Sequence, residues 1–174
     1  MKTWLVPVLF CFVAAANCEA AESFNVGSFT FAVPEGWTKV MPSSPMRNAQ
    51  LEIARGQEKA EVTFFHFGGG SGTAADNVAR WFGQFPGSEA NRKSETVDLE
   101  GTRVTFATAE GTFSSGMPGG PTAPMPGYAL CGAIIENAGG DVYVKMTGPA
   151  AVVKASAEAL KKMATDAVKK PAQT

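Results

Sequence analysis

Methionines in proline-rich stretches are the residues of this sequence that could most readily bind a soft metal ion. They are Met41, Met46, Met117 and Met125. Thioether sulfur favours Cu(I), so Met117, Met125 and His66 together would form a copper site. The alternative is that these flexible side chains fill gaps over a sheet or form an adaptable contact surface. We favour the alternative, because the spacing matches no metal motif.

The same loops carry residue types that are typical of protein-binding surfaces. Trp37 and Arg47 flank the stretch MPSSPM, and exposed Trp, Arg and Met are enriched where proteins meet. Long Pro/Gly loops are uncommon in a compact domain and are often functional. We therefore expect a binding surface on residues 41–47 and 116–127. Its predicted contact residues are Trp37, Met41, Met46, Arg47, Met117 and Met125.

Other candidate constellations favour structural roles. The glycine-rich residues 68–72 lack the lysine of a Walker A loop, so a flexible connection is a better interpretation than a phosphate site. His66 lies in an apolar run, where a structural histidine is more common than a base or ligand. The sequence contains no G-x-S-x-G, H-E-x-x-H or C-x-x-C motif. We predict no catalytic residue and no cofactor, and an enzyme whose site assembles in space stays as an alternative.

The amino terminus has the pattern of an export signal. A lysine at position 2 precedes an uncharged apolar run over residues 4–16. This run is shorter than the roughly 20 residues of a membrane span, so residues 1–20 are expected to be a signal peptide. Cleavage after Ala16 or after Ala20 fits the pattern. A lipoprotein signal that ends before Cys18, with lipid attached to Cys18, is the third alternative.

The signal also decides the cysteine chemistry. Cys11 leaves with the signal in every case, and both cleavage after Ala20 and lipidation leave Cys131 as the remaining thiol. Cleavage after Ala16 would keep Cys18 available for a bridge to Cys131. Because Cys131 lies in an apolar run over residues 128–135, we expect a buried and unreactive thiol.

Composition indicates a globular chain without an electrostatic footprint for nucleic acid. The 174 residues are 45% hydrophobic and 18% charged, with a formal net charge of −1. Residues 21–174 suit one domain with its own core. Apart from the signal, no stretch is long and apolar enough to span a bilayer.

Hydrophobic periodicity predicts the secondary structure. Expected strands cover residues 24–33 as a hairpin, 50–54, 61–67, 96–99, 103–108 with an extension at 112–113, 128–135 and 142–146. Expected helices cover residues 73–85, with Thr73 as N-cap and Asp76 completing a capping box, and 149–170. Residues 114–127 are expected to be a loop. Short connections imply an α+β fold with a mainly antiparallel sheet of about six to eight strands and two main helices.

One segment resembles a known superfamily. Residues 29–37, FTFAVPEGW, are similar to the opening of PsbP-like and DcrB-like domains, in which a hairpin strand leads into a P-x-G-W corner. The order of elements from residue 24 to residue 170 supports the resemblance. It implies an antiparallel sheet packed by helices, no catalytic motif, and an accessory or binding role in the bacterial envelope.

The sequence therefore predicts a non-enzymatic accessory or binding protein of the cell envelope that acts through its Pro-rich loops. Its partner would be an unidentified envelope protein, not nucleic acid. The chain would be periplasmic or secreted, or anchored to the membrane by lipid. The alternatives are a copper-binding protein that uses the methionine loops and an enzyme with a site assembled in space.

The export signal predicts the mass of the mature chain. Intact mass spectrometry of the protein from its native host should show an amino terminus at Ala21, at Asn17 or at a lipid-modified Cys18. A mature mass that retains residues 1–16 would contradict the signal interpretation.

Overall fold

The computed structural model describes residues 22–115 and 123–169, and the predicted signal with Cys18, together with Met117, lies outside them. The strands are β1 (Ser23–Val26), β2 (Phe29–Ala32), β3 (Trp37–Val40), β4 (Ala49–Arg55), β5 (Glu58–His66), β6 (Lys93–Leu99), β7 (Thr102–Ser115), β8 (Ala123–Ile135) and β9 (Val142–Pro149). The helices are α1 (Ala74–Gly83) and α2 (Ala150–Lys169), with a 3₁₀ turn at Glu89–Asn91.

The strands form two antiparallel sheets. Seven strands pair in the order β3-β4-β5-β9-β8-β7-β6, and β1 and β2 form a separate hairpin. The predicted α+β fold, with a mainly antiparallel sheet and two helices, is confirmed. The predicted central position of residues 61–67 is also confirmed, because β5 pairs with β4 on one side and β9 on the other.

One face of the large sheet, which we call the α2 face, is covered along its whole width. Alternate residues of β5, among them Val62 and Phe64, point to this side and are fully buried. The β1–β2 hairpin places Phe24 and Phe31 edge-on against Phe64, with ring centroids 4.9 and 5.1 Å away. Helix α2 contacts every strand from β4 to β6 across the sheet. These contacts form the main core.

The opposite side, which we call the α1 face, is covered only in part. Helix α1 begins with the predicted capping box: Thr73 Oγ1 accepts from the backbone N–H of Asp76, and the Asp76 carboxylate accepts from the backbone N–H of Thr73. Trp81 and Val78 of this helix are buried in a second core cluster with residues of β7 and β8. The β3–β4 side of this face has no helix over it in the described chain.

The contact between Trp81 and Gly132 sets how closely α1 approaches the sheet. A Cβ atom on Gly132 would lie 2.4 Å from Cζ3 of the indole ring. A side chain at this position is therefore incompatible with the observed packing, and the glycine lets an indole ring lie directly on the backbone of β8.

The predicted loop over residues 114–127 is shorter in the structure. Strand β7 continues to Ser115, and β8 already begins at Ala123, with Phe113 paired to Met125 and Ser114 to Pro124. The prolines do not prevent this pairing, because β9 ends at Pro149 opposite Tyr128, and no other described strand pairs with the other side of this part of β8. Proline is tolerated at such an edge, where its missing N–H costs no ladder hydrogen bond. Residues 116–122 lie outside the described chain.

Neither described helix is both long and apolar enough to cross a membrane.

The Trp81–Gly132 contact predicts a sharp effect of one added methyl group. Gly132→Ala should lower the free energy of unfolding by about 1–3 kcal/mol, because the ring must move out of a packed core. The control is Gly83→Ala at the end of α1, where a Cβ meets open space and helix propensity favours alanine by up to about 1 kcal/mol. Denaturant unfolding of both variants measures the difference. Equal stability of the Gly132 variant and wild type would contradict this packing.

Candidate functional site

A cleft of about 350 Å³ opens on the α1 face, where the edge of α1 meets the uncovered half of the sheet. Its floor comes from β5 and β9, one wall comes from α1, and the other side is formed by the Arg47 side chain. The lining residues combine aromatic rings with cations: Arg47, Glu61, Thr63, Phe65, Phe67, Asn77, Arg80, Trp81, Gln84, Phe113, Tyr143, Lys145 and Thr147. Apolar walls with a few convergent polar groups are typical of small-molecule sites.

Lys145 is the central polar group of this cleft. It is half-buried on β9, and its Nζ donates to Oε1 of Gln84 and lies 5.5 Å from the ring centroid of Phe113. Burial lowers the pKa of Lys145 to about 8, with opposing effects from the Glu61 carboxylate, which raises it, and the Arg47 guanidinium, which lowers it. An ammonium group has three donors, so the bond to Gln84 leaves donors available to a ligand.

Arg47 forms the outer side of the cleft and is held in place by two partners. Its Nη1 donates to Oε1 of Gln50 at 2.9 Å and to Oε2 of Glu61 at 3.0 Å. The ion pair with Glu61 offsets part of the charge of Arg47. Lys145 and Arg80 on α1 are the other two cations that line the cleft.

Tyr143 closes the end of the cleft near the start of α1. Its hydroxyl lies 2.7 Å from Oγ of Ser71 and 3.4 Å from both Nδ2 of Asn77 and Oδ2 of Asp141. Burial raises the pKa of Tyr143. These hydrogen bonds give the Tyr143 hydroxyl a structural role, because they connect the glycine-rich segment to β9.

The glycine-rich segment over residues 68–72 leads into the N-terminus of α1, where an anion would be expected to bind. That place is already taken by the Asp76 carboxylate, which accepts bonds from Thr73. These bonds lower the pKa of Asp76. The arrangement supports the interpretation of this segment as a connection.

The predicted binding surface over residues 41–47 carries two exposed methionines. Met41 is 90% exposed and Met46 is 64% exposed. Trp37, by contrast, is half-buried on β3 and packs against the core of the α2 face. Arg47 turns toward the cleft. Of the six predicted contact residues, Met117 lies outside the described chain, and among the other five only Met41 and Met46 are exposed.

Met125 lies on the α1 face because of a bulge in β8. Gly111 pairs with Tyr128, but the next pair along the ladder is Phe113 with Met125, so β8 has one extra residue there. Gly127, with φ +71°, supplies the backbone conformation that this irregularity needs. Met125 consequently packs, half-buried, against the second core cluster.

The predicted copper ligands are not brought together where the structure describes them. His66 points to the α2 face, where its ring lies next to the β1–β2 turn at Gly27, and Met125 lies on the α1 face. The third predicted ligand, Met117, is outside the described residues. Within residues 22–115 and 123–169, no three His, Cys, Asp or Glu side chains are grouped for a metal ion.

Cys131 has the predicted buried environment. It is 1% exposed on the α2 face, and burial raises the pKa of its thiol to about 11, with smaller effects from Lys161, which lowers it, and Glu158, which raises it. A thiol with so high a pKa is protonated near neutral pH and is a poor nucleophile.

Sequence reasoning missed Lys145, Arg80 and Tyr143 as site residues. One signal was available for Lys145, because it is the single charged residue in the apolar strand over residues 142–146. A lysine with apolar neighbours on both sides is a candidate for a functional position. No comparable signal marks Arg80, whose place over the cleft depends on how α1 packs.

A larger cavity of about 580 Å³ lies near the β6 edge but offers less to a ligand. Lys161 in its lining is paired with Glu95 at 3.2 Å, and Arg92 is paired with Glu89 at 3.2 Å. Because these cations already have carboxylate partners, we take the cleft at Lys145 as the candidate site.

Burial of the charged Lys145 should lower the free energy of unfolding of the protein. The pKa falls from 10.5 to about 8 in the folded state, which corresponds to roughly 3 kcal/mol. Lys145→Met removes this cost but loses a hydrogen bond and a ring contact worth about 2 kcal/mol together. We expect the variant to be about 1 kcal/mol more stable than wild type at about pH 7.

The pH dependence has a defined sign. Below pH 8 the lysine is charged in both the folded and unfolded states, so the cost is fully present; it disappears as the pH rises from about 8 to 10.5. Denaturant unfolding across this range should show the advantage of Lys145→Met shrinking. Lys154→Met, at an exposed lysine of α2, is the control. An advantage that does not change with pH would contradict the assignment.

Comparisons with known proteins identify the fold. No family model matches the chain, and no curated protein matches it. Cyanobacterial PsbP (CyanoP) from Synechocystis sp. PCC 6803 aligns over 88% of this chain and 96% of its own, with 13% identity and a TM-score of 0.54. A protein of unknown function from Pseudomonas aeruginosa, described as a putative regulator, aligns over 87% and 99% with 16% identity and a TM-score of 0.44. The resemblance predicted from residues 29–37 is thus confirmed at the level of fold: the chain has the PsbP-like α+β fold.

Proposed function

We propose that this chain is a non-enzymatic accessory protein of the cell envelope that binds another protein through the loop over residues 41–47. The observation that carries the proposal is the exposure of Met41 and Met46, the two large apolar side chains that stand in solvent among the described residues. Flexible, polarizable methionines are suited to adaptable protein contacts. The accessory role follows from the resemblance to PsbP-like and DcrB-like domains, and the envelope location follows from the signal expected over residues 1–20.

The loop supports this proposal because hydrogen bonds hold its backbone at both ends. The backbone N–H of Ser43 donates to Oε1 of Gln50, and the backbone N–H of Met46 donates to Oγ of Ser44. Arg47 anchors the end of the loop on Gln50 and Glu61. A loop that is already ordered loses little conformational entropy on binding.

The strand before the loop extends the same surface. β3 is an edge strand of the seven-stranded sheet, and among the described strands it pairs with β4 alone. Its outer edge offers backbone N–H and C=O groups to a further strand. We therefore propose that the partner contributes an extended segment along β3, with an apolar pocket for the methionines.

The second predicted loop has a smaller part in this proposal. Met125 packs against the protein's own second core cluster, and residues 116–122 are outside the described chain. We assign the contact to residues 41–47 and leave Met125 in a structural role.

Site-specific crosslinking in the native host tests this proposal. A photo-crosslinking amino acid at position 41 should give one dominant adduct, whereas the same group at Glu58, the exposed first residue of β5, should not. Met41→Ser combined with Met46→Ser should reduce capture about tenfold or more, because two buried apolar contacts are lost. Both side chains are exposed, so the double variant should unfold at the same denaturant concentration as wild type.

The outcome that would contradict the proposal is equally specific. Capture that is equal from positions 41 and 58, or that survives the double substitution, would place the contact elsewhere. Trp37 is a poor choice for this test because it packs on the core, and its replacement would mix loss of stability with loss of binding.

A further inference from the structure

The cleft at Lys145 contains cations that the fold leaves without acidic partners. Among the described residues, neither Lys145 nor Arg80 forms an ion pair with a carboxylate. The Nη1 of Arg80 donates to Oδ1 of Asn77 at 3.1 Å, and Lys145 donates to Gln84. Both acceptors are neutral amides. Half-buried charges are normally paired, so the unpaired Lys145 requires an explanation. Arg80 is exposed and adds a second cation at the opening of the same cleft.

The surroundings of these cations define a chemical class of ligand. Rings of Phe65, Phe67 and Phe113 line the walls, and the volume of about 350 Å³ is at the small end of ligand pockets. The carboxylate nearest to Lys145, Glu61, is engaged by Arg47 and lies at the outer end. We propose that this cleft binds a small organic carboxylate with an aromatic or branched apolar body, its carboxylate between Lys145 and Arg80 and its body against the phenylalanine rings.

This proposal is independent of the protein-binding surface at residues 41–47. The methionines point into solvent, whereas the ligand would lie under α1 and on β9. Arg47 is the connection between the two, because it ends the loop and also forms the outer side of the cleft. Because the methionines and the ligand occupy different places, each of the two proposals can fail without the other.

The charge on Lys145 gives the proposed binding a pH dependence. The charged groups around Lys145 are Glu61 on β5, Arg47 before β4 and Arg80 on α1. The neighbouring positions on β7 and β8 are Phe113 and Gly132, which carry no charge. Loss of the ammonium proton above about pH 8 removes one of the two cations that face the carboxylate. Affinity should fall as the pH rises through 8.

Titration with phenylacetate, followed by NMR of the Trp81 indole N–H and by calorimetry, tests the proposal. Phenylethanol is the neutral control of similar shape, and inorganic phosphate is the control for a charge without an apolar body. Phenylacetate should bind saturably, with about tenfold or greater preference over both controls, because a charge-assisted hydrogen bond and ring burial must act together.

Three variants separate the cleft from general charge effects. Lys145→Met should weaken phenylacetate about tenfold or more, even though it stabilises the fold. Lys145→Arg should keep binding and lose the fall in affinity above pH 8, because arginine stays charged. Lys154→Met, at an exposed lysine of α2, should bind as wild type does. Equal binding of phenylacetate and phenylethanol, no saturable binding, or unchanged affinity in Lys145→Met would each overturn the proposal.

Discussion

The seven-stranded sheet is wider than the short helix α1 that lies on one of its faces. The core on the opposite face and the position of the cleft both follow from this difference in size. Six interstrand spacings of about 4.8 Å make the sheet about 29 Å wide. Helix α2, with 20 residues, is about 30 Å long, whereas α1, with 10 residues, is about 15 Å long. The α2 face can therefore be covered completely, with help from the β1–β2 hairpin. The α1 face stays open on its β3–β4 side, and the cleft forms at the boundary.

The open half of the sheet is stable because its exposed positions are polar. Gln50 and Glu52 on β4 and Glu61 on β5 lie on the α1 face, beyond the reach of the helix. Under α1 the same face carries Gly132 and Ile134, which the Trp81 ring and its neighbours bury. The change from polar to apolar along one face places Lys145 at the border, with its amine over the Phe113 ring and bonded to Gln84. The partial burial of the amine at this border lowers the pKa of Lys145.

Local sequence patterns predicted most of the strands and both helices. The extension of β7 and β8 and the cleft were not predicted, because both depend on contacts between residues far apart in the sequence. The alternation of Leu51 and Ile53 predicted one buried face of β4, and Thr73 with Asp76 predicted the start of α1. The bulge at Gly127 depends on the register between β7 and β8, which local sequence does not reveal, so the local pattern predicts a loop where the structure has strands around residues 114 and 125. The cleft was missed for the same reason: Arg80, Gln84 and Lys145 are separated by up to 65 positions in the printed sequence and meet only after α1 packs on Gly132. The exposed Met41 and Met46 were identified because proline excluded them from helix and central strand.

The prolines in the extended part of β8 have a consequence for the behaviour of the protein in a crowded compartment. Between Ala123 and Gly127 this strand has β7 as its only partner among the described strands, so its outer edge could act as a template for a strand of another molecule. Pro124 and Pro126 have no N–H to donate, and the bulge at Gly127 twists the edge away from a flat geometry. The extension therefore resists intermolecular β-sheet growth and amyloid-type association. β3 has no proline between Trp37 and Val40, so its outer edge, unlike that of the β8 extension, is competent for pairing with another chain.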